Sequence, residues 1–545
     1  MISRVLSKYL FYFTALFAIP LAVAIYYQLF GDNSSHPQPH SVGAFFLSFL
    51  ISLAAAVGFR FLGRNATGQL YRRESLIAAV LIWLATSLIA ALPFYFSGTL
   101  TNPIDACFEA MSGLTTTGSS LIAPKAYDPT TGEEKEIYIT HTHIPHRTYS
   151  YYGTVAPIRD PVSQLVTHSG IEAVSKAVLL WRSLLQWIGG MGIVLIFLSV
   201  LPAIGVGGKF LYQAEATGPI KEGITPRVQQ TASLLWKLYL FLTLLEISLL
   251  IWTNGAMPIF DAICIALSNI STGGFSVRND SIASYQNSTT EWIVLLFMIA
   301  GSINFSLYFH CFRGTSLRSH LPDLFLFLSI ALIGSLLVSF FLIGSPQTSL
   351  EGAQQEFYSF GTALRQGFFQ AISAQSSTGF ITADYNQWPF PSQMFLLLLM
   401  FIGGMAGSTA GGIKTSRFYI LYKIILHRLE LLYRPDSIRK LTIGSAEVDD
   451  KNALTVLSFF CIAVFFSILG TVIFILDGID PETALGLMAG LVNNTGLGFR
   501  AAGPTDSLVF LSPLSKLLSI FWMLLGRLEF FAILLLFLPS FWKNK

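Results

Sequence analysis

The sequence has few charged residues and few cysteines for a chain of its length. Only 12% of its 545 residues are Asp, Glu, Lys or Arg, while 53% are hydrophobic, a balance that excludes an ordinary soluble globular protein. The four cysteines include no Cys-x-x-Cys pair, so neither a disulfide framework nor a zinc site is expected. The net charge of +3 is too small to predict nucleic-acid binding. These absences leave a membrane protein as the expected class.

Long apolar segments make up most of the chain. A spanning helix needs roughly 20 apolar residues, and about ten such segments occur, which predicts an all-α polytopic membrane protein. The first is longer than the apolar core of a signal peptide, so we interpret it as a retained helix. The approximate bounds are 9–30, 42–62, 75–97, 178–201, 232–253, 290–312, 322–344, 393–424 with an interruption, 452–476 and 512–537.

Basic residues collect in alternate connections between these segments. The positive-inside rule therefore predicts that these connections, and both chain termini, are cytoplasmic. The intervening connections are poor in Lys and Arg, which places them outside. The basic groups are Arg60, Arg64, Arg72 and Arg73; Lys209, Lys221 and Arg227; Arg313 and Arg318; six residues between 417 and 440; and Lys543 with Lys545.

A polar segment at 124–172 lies on the predicted outer side. Its stretch EIYITHTHIPHRTYSYYGTV alternates in a way that predicts a β-hairpin. His141, His143 and His146 also suggest metal binding, but an exposed loop with three histidines is more often only solvated. We assign this insert no metal and no mechanism.

A Thr-Gly pair preceded by polar residues occurs four times between apolar segments. Proline precedes the glycine by 15 residues in three copies, as in Pro103 and Gly118, whereas the third copy has Leu364 at that position. Proline is favoured in the first turn of a helix. One Thr-Gly pair is usually an ordinary turn. Four in register predict a repeated unit of spanning helix, short re-entrant helix, Thr-Gly loop and spanning helix.

Such loops suit a cation filter. Non-helical backbone at membrane depth survives only where it is buried in protein or lines water, and rings of carbonyl oxygens can replace the hydration shell of a cation. Glycine admits positive φ, and the short helices would direct their negative C-terminal ends at the ion. With the four glycines aligned, the predicted K⁺-binding filter is Thr116, Thr117, Gly118, Ser271, Thr272, Gly273, Ser377, Thr378, Gly379, Asn494, Thr495 and Gly496.

The stretch GGMAGSTAGG at 403–412 contains five glycines. Because each glycine costs about 1 kcal/mol relative to alanine in a helix, we predict an unwound segment that faces the pore. The alternative is a close helix contact through small residues. Lys414 follows this stretch. Its side chain could face the cavity or extend to the cytoplasm, and we favour the cytoplasm. The candidate gate comprises Gly403, Gly404, Gly407, Ser408, Thr409, Gly411, Gly412, Lys414 and Arg527.

Arg527 lies inside the last apolar segment, where a charge is expensive and usually functional. Pairing with Glu529 is a simpler explanation, but a separation of two residues directs the two side chains to different faces of a helix. Our hypothesis is that Arg527 holds a closed gating loop and adds a positive barrier to ions.

Four segments resemble a known family: LLWRSLLQWIGGMGI (179–193), YQAEATGPIKEGITPR (212–227), FIGGMAGSTAGGIKTSRF (401–418) and MLLGRLEFF (523–531). On these, the chain resembles the Trk/Ktr/HKT superfamily of potassium transporters, and most closely its TrkH family, over nearly its full length. The resemblance implies four helix–pore loop–helix repeats around a pseudo-fourfold pore. The expected divisions are 1–70 for two extra helices, 71–205 for repeat 1 with the insert, 230–313 for repeat 2, 320–425 for repeat 3 with the gating loop, and 450–545 for repeat 4.

The same resemblance implies function. It suggests K⁺ uptake across the bacterial inner membrane, a movable loop beneath the filter, and Arg527 on the pore wall beside it. A homodimer and a cytosolic TrkA-type nucleotide-binding subunit are the implied partners, and no organic cofactor is expected. In the wider family, serine at the first filter glycine accompanies Na⁺ transport, so Gly118 favours K⁺.

Two alternatives stay open at this point. One is a Na⁺-conducting transporter, or one coupled to Na⁺ or H⁺, of the same fold. The other is a polytopic membrane enzyme, which would be expected to carry an HExxH motif or a carboxylate pair within the membrane. The sequence has no HExxH motif, and Glu246 is a lone carboxylate within an apolar segment.

Overall fold

The computed structural model describes residues 1–31, 40–65, 71–128, 131–141, 147–160, 163, 165–192, 228–312, 321–347, 356–434, 442–443, 446–447 and 450–543. Helices dominate these residues, and the strands are short and lie in connections. The predicted all-α membrane class is therefore confirmed. The segment 212–227 lies outside the described residues, as do Lys209, Arg313, Arg318, His143, His146 and the basic residues 439 and 440.

Nineteen α-helices and ten strands are described. The helices are α1 Ile2–Leu16, α2 Ala18–Phe30, α3 Ser41–Leu62, α4 Arg72–Phe96, α5 Pro103–Leu114, α6 Lys176–Gly190, α7 Val228–Thr253, α8 Ile259–Ile270, α9 Ser288–Ser302, α10 Phe305–Phe312, α11 Leu321–Leu342, α12 Phe360–Gln375, α13 Phe390–Phe401, α14 Thr415–Tyr433, α15 Asp450–Leu476, α16 Pro481–Val492, α17 Pro513–Arg527, α18 Phe531–Leu534 and α19 Pro539–Trp542. The strands pair as antiparallel hairpins: β1 Ala126–Tyr127 with β2 Glu134–Lys135, β3 Ile137–His141 with β4 Arg147–Tyr151, β5 Ile158–Arg159 with β6 Val166–His168, β7 Pro346–Gln347 with β8 Glu356–Phe357, and β9 Thr442–Ile443 with β10 Ala446–Glu447.

Six described helices are long and apolar enough to cross a membrane, or eight if each of two bent pairs forms one span. The bent pairs are α9 with α10, at 93°, and α17 with the segment 531–537, at 112°. Two predicted segments remain. The one at 178–201 is described only to residue 192, and the one at 393–424 is broken by non-helical residues 402–414.

Four helices lie between the apolar segments that were predicted to span the membrane: α5, α8, α12 and α16. Local sequence explains where they begin. Asn102, Ser359 and Asp480 accept a hydrogen bond from a backbone N–H of the first turn, and α5 and α16 start on proline. Helix α12 has 16 residues where the others have 12. Its earlier start explains why Leu364 occupies the position of the prolines.

The two N-terminal helical segments pack on the first repeat. Phe13, Phe17 and Phe45 surround Trp181 of α6, with the Phe17 and Trp181 ring centroids 4.7 Å apart. The Trp181 indole N–H donates to the carbonyl of Ala90 at 3.0 Å. Buried aromatic contacts of this kind bind α1 and α3 to the repeat that holds the first loop.

The insert contains the predicted hairpin, β3 with β4. Its Tyr149 hydroxyl donates to the Asp480 carboxylate at 2.8 Å and accepts from the Asp480 N–H at 2.9 Å, and Arg147 donates to the carbonyl of Gly478. Burial raises the pKa of Tyr149 to about 12. The insert is therefore fastened to the start of α16. No group of three His, Cys, Asp or Glu residues suited to a metal occurs among the residues that the structure describes.

Candidate functional site

The four loops that follow α5, α8, α12 and α16 have the same backbone path. The second residue after each helix is left-handed and is not glycine, and a glycine with positive φ follows two positions later. Such conformations are uncommon for non-glycine residues, so their fourfold recurrence marks structurally equivalent positions. The left-handed residues are Thr116, Thr272, Ser377 and Asn494, at φ 56°, 53°, 55° and 51°, and the glycines are Gly118, Gly274, Gly379 and Gly496, at 85°, 77°, 85° and 69°.

The four loops form a closed ring. Each of these glycines faces a backbone carbonyl of the next loop, so closely that an added Cβ would overlap the oxygen. Glycine is therefore required both by φ and by space. The distances from the ideal Cβ are 2.3 Å from Gly118 to Gly273 O, 2.0 Å from Gly274 to Thr378 O, 2.5 Å from Gly379 to Thr495 O and 2.1 Å from Gly496 to Thr117 O.

This ring corrects the predicted register in the second repeat. The Thr-Gly pattern predicts that Gly273 is equivalent to Gly118, Gly379 and Gly496, but the left-handed glycine of that loop is Gly274. The reason lies at the start of α8, where Pro258 is the N-cap instead of the first helical residue. The helix and its loop are therefore displaced by one residue. Gly273 corresponds to Thr117, Thr378 and Thr495, the residues whose carbonyls meet the glycines.

Hydrogen bonds from the short helices hold the loops. The N–H groups of Thr117, Gly273, Thr378 and Thr495 donate to carbonyls five residues earlier at 2.8–3.0 Å. Ser112 and Ser373 hydroxyls also donate to the carbonyls of Ser119 and Phe380 at 2.6 and 2.7 Å. These hydrogen bonds fix the backbone of each loop against the short helix that precedes it.

Gln186 of α6 was not identified from the sequence, although it contacts the ring. It is fully buried, its side-chain amide donates to the Gly273 carbonyl at 2.6 Å, and its amide oxygen accepts from the Phe275 N–H at 3.0 Å. The available signal was a glutamine between the apolar pairs 184–185 and 187–188, since such a group must find hydrogen-bond partners when buried.

The glycine-rich segment lies against the ring. Residues 402–414 are not helical, and their one regular feature is an isolated β-bridge between Ile402 and Ile413. The alternative of a small-residue helix contact therefore does not apply. The Thr409 hydroxyl contacts the carbonyls of Ile270 and Gly301, each at 2.9 Å. The Gly411 N–H donates to the hydroxyl of Ser377. The segment thus contacts the second and third repeats directly beside their loops.

Arg527, which belongs to the fourth repeat, connects this segment to the first repeat. Its guanidinium donates to the Thr409 carbonyl at 3.0 Å and to the Thr116 hydroxyl at 3.2 Å. It also donates to the carbonyls of Gly189 and Gly190, at 2.6 and 2.8 Å. These two carbonyls end α6, where the helix dipole is negative and favours a cation. One side chain therefore contacts the first loop, the end of α6 and the glycine-rich segment.

Lys414 does not extend to the cytoplasm, so that expectation was wrong. It is 2% exposed, and its ammonium group donates to the carbonyl of Ala410 within the same segment. The chain at this point is held by the Thr415 hydroxyl, which bonds Asp323 of α11 at 2.6 Å. Because α14 starts at Thr415, Lys414 is directed back against the loop.

Two carboxylates near these elements, the partly buried Glu529 and the fully buried Glu246, have identifiable partners. Glu529 forms an ion pair with Arg417, whose guanidinium lies 3.7 Å from the centroid of the Phe459 ring. Glu246 of α7 accepts a hydrogen bond at 2.6 Å from the side-chain amide of Asn269, the penultimate residue of α8. The first contact joins the turn after α17 to α14, and the second joins α7 to α8, so each carboxylate has a packing role at its position.

A cavity of about 410 Å³ opens on the side of the ring opposite the glycine-rich segment. All four ring glycines line it, together with Arg278, Tyr151 of the insert and Asp506. Arg278 pairs with Asp261 at 3.1 Å. Burial, and secondly the nearby charge of Asp384, raise the pKa of Asp506 to about 6. Its carboxylate therefore supplies a negative charge to this cavity above about pH 6.

Comparisons with known proteins agree with this architecture. A family described as TrkH, cation transport protein, matches residues 160–544. The Trk system potassium uptake protein TrkH of Salmonella typhimurium is 30% identical over 547 residues, covering 100% of this chain and 99% of that protein. TrkG of Escherichia coli K12, described in the same words, is 32% identical over 530 residues, 96% and 95% of the two chains. The crystal structure of the potassium transporter TrkH from Vibrio parahaemolyticus aligns with a TM-score of 0.75 and 26% identity over 99% of both chains.

Proposed function

The chain belongs to the TrkH family of cation transport proteins, and on this basis we propose that it carries K⁺ into the cell through the ring of four loops. The resemblance found in the sequence is confirmed at the level of the family. The relatives described above are potassium uptake proteins, and the structural neighbour is a potassium transporter. The transported ion and the filter are our proposals for this chain.

The observation that supports a filter most directly is the closed ring of glycines and carbonyls. Four equivalent carbonyls, those of Thr117, Gly273, Thr378 and Thr495, lie where the glycines bring neighbouring loops into contact. Carbonyl oxygens at this density can replace the water around a monovalent cation. The ring contains glycine at all four positions that meet a carbonyl of the next loop, and this favours K⁺ over the Na⁺ alternative.

We assign the gate to residues 402–414 together with Arg527. The loop contacts the second and third repeats through Thr409 and Gly411, and Arg527 joins it to the first. A guanidinium beside the pathway also repels cations electrostatically. Opening requires the loop to leave these contacts, so Arg527 stabilises the closed state.

We also propose the finer features that the resemblance implies. The four repeats follow the divisions given above, the membrane is the bacterial inner membrane, and both termini are cytoplasmic. The protein forms a homodimer and is controlled by a cytosolic TrkA-type nucleotide-binding subunit. The word "system" in the names of the relatives supports a partnership with further components.

The proposal is tested by reconstituting the full chain in liposomes and measuring K⁺, Rb⁺ and Na⁺ flux in the wild type and in Gly118→Ser. The wild type is expected to prefer K⁺ and Rb⁺, and the variant to lose that preference because its Cβ meets the Gly273 carbonyl. Gly361→Ser is the matched control, since Gly361 lies on α12 with open space around its Cβ position. Equal or greater Na⁺ flux in the wild type would overturn the potassium assignment.

A further inference from the structure

The second loop is held by a side chain from the neighbouring repeat. Gln186 belongs to α6 and is separated from Gly273 by 87 residues, yet its amide nitrogen lies 2.6 Å from the Gly273 carbonyl oxygen. The same amide nitrogen lies 3.8 Å from the Cβ position of Gly118. Gln186 therefore lies between the first and second loops, at the point where two quarters of the ring meet.

Its two hydrogen bonds flank the left-handed glycine of the second loop. The Gln186 amide donates to the carbonyl of Gly273, which precedes Gly274, and its oxygen accepts from the N–H of Phe275, which follows. Gly274 itself has φ 77°. Because glycine allows many backbone conformations, fixing the peptide groups on both sides of it restricts the direction of the Gly273 carbonyl.

The second loop needs such support because it lacks a side chain that other loops have. In the first and third loops, the residue equivalent to Gly273 is a threonine whose hydroxyl bonds a neighbour in the same loop: Thr117 with Thr115 at 2.8 Å, and Thr378 with Ser376 at 2.7 Å. At Gly273, the Gln186 side-chain carbon Cδ lies 2.4 Å from the ideal Cβ position. Gln186 thus occupies the space that a threonine side chain would take.

The hydrogen bond also changes the carbonyl as a cation ligand. A donor on the oxygen uses one of its lone pairs and lowers its ability to attract a cation. A weaker and rigidly held ligand disfavours the smaller, more strongly hydrated Na⁺, whose dehydration requires a stronger field. Loss of the donor should make the second quarter of the ring both stronger in field and freer to move.

We propose that Gln186 is a positioning residue that sets the K⁺ preference of the filter by fixing the Gly273 carbonyl through a hydrogen bond to its oxygen. The proposal rests on the function proposed above, because it gives a role to a neighbour of the filter. Gln186 acts through the second loop.

The test compares Gln186→Met with Gln375→Met in liposomes containing the full chain. Methionine has similar length and removes both hydrogen bonds. Gln375 is an equally buried glutamine on α12 that donates to the carbonyl of Phe327 at 3.3 Å, so it is the matched control. We expect the K⁺/Na⁺ permeability ratio to fall about two- to tenfold in Gln186→Met, the range that one net hydrogen bond supports, and to stay at the wild-type value in Gln375→Met. Thermal unfolding of both variants measures the general cost of losing a buried glutamine.

A rescue variant keeps the proposal testable if Gln186→Met does not fold. In Gln186→Ala with Gly273→Thr, the obstruction at the Gly273 Cβ is removed, and the second loop acquires the threonine of the first and third loops. Gly273 does not have a positive φ, so its backbone conformation allows threonine. We expect this double variant to prefer K⁺ more strongly than Gln186→Ala alone.

The outcomes separate the two proposals. A wild type without K⁺ preference would overturn the proposed function, and this inference with it. A selective wild type with an unchanged ratio in Gln186→Met would overturn only the inference. An equal fall in both glutamine variants, or a double variant no more selective than Gln186→Ala, would also contradict it, because the effect would then be general packing.

Discussion

The four loops of the ring follow one backbone path, whereas the segments that come after them all differ. Helix α6 ends at Gly190, and Arg527 binds the carbonyls of its last two residues. The α9–α10 pair bends by 93°, α13 and α14 are separated by residues 402–414, and the α17 segment bends by 112°. Four sequence repeats therefore keep equivalence at the ring and lose it below.

Hydrogen bonds explain how the segments that follow the four loops pack together although they differ. Where α9 breaks, the carbonyl of Ser302 accepts from the Met405 N–H at 3.0 Å, and the N–H of Phe305 donates to the Gly407 carbonyl at 3.1 Å. Backbone groups released by a helix break must be satisfied inside the protein at membrane depth. The glycine-rich loop of the third repeat thus satisfies the break in the second. Under the function proposed above, all four loops supply ligands to one ion whereas a single loop forms the gate, so only the four loops need to be equivalent.

The largest expected effect comes from breaking the ring at its corrected position. Gly274→Ala should reduce K⁺ flux to background, because alanine is strained at φ 77° and its Cβ would lie 2.0 Å from the Thr378 carbonyl oxygen. Gly273→Ala should be milder, since its Cβ meets the Gln186 side chain, which can move. Rb⁺ uptake normalised to the amount of protein in the membrane measures both. A more severe loss in Gly273→Ala would favour the register predicted from the sequence.

An effect of intermediate size is expected from weakening the contacts of the glycine-rich segment 402–414. Arg527→Ala removes hydrogen bonds to Thr409 and Thr116 and to the end of α6, so basal K⁺ flux should rise roughly tenfold, as expected for the loss of more than one charge-assisted contact. The K⁺/Na⁺ ratio should not change, because none of the hydrogen bonds removed is to a ring carbonyl. Arg500→Ala, at the outer ion pair with Glu482, is the control. Unchanged flux in well-expressed Arg527→Ala protein would contradict the gate assignment.

The smallest effect should come from the outer cavity, and it depends on pH. The raised pKa of Asp506, about 6, means that its negative charge is present above pH 6 and is lost as the pH falls through 6. Because one charge near a channel mouth changes the local cation concentration modestly, lowering external pH from about 7.5 to 5 should raise the half-saturating K⁺ concentration about twofold.

Asp506→Asn should show the higher half-saturating concentration at both pH values. Glu133→Gln, at an exposed residue of the insert away from the cavity, should behave like the wild type. K⁺-dependent Rb⁺ uptake by cells that lack their own potassium uptake gives the required curves. A pH response in Asp506→Asn equal to that of the wild type would assign the effect to another group.

Much of the ring could be predicted from the sequence because its signals are local. Proline marks the start of α5, α8 and α16, a capping side chain marks the start of α5, α12 and α16, and glycine marks the left-handed turn. The same local reasoning misplaced the second loop by one residue, since two adjacent glycines, Gly273 and Gly274, satisfy the pattern equally well. Only the contact between Gly274 and the Thr378 carbonyl distinguishes them.

The positions of individual polar side chains were less predictable. Lys414 follows a loop near the end of an apolar segment, a place where lysine commonly reaches water, but packing buries it against Ala410. The role of Gln186 was not predicted, because its partners are 87 and 89 residues away. Each outcome depends on which helices pack together, and this is not encoded by any short stretch of residues.

By itself, the sequence determined the membrane class, the fourfold recurrence of the loop, three of the four positions that need glycine and the interrupted helix at 402–414, because hydrophobic length and backbone preference act over a few neighbouring residues. The tertiary structure alone decided which glycine of the second loop enters the ring, which carbonyls Arg527 binds, and that Gln186 supports the second loop. Those contacts join residues between 87 and 338 positions apart, so they exist only once the repeats have closed around a common axis.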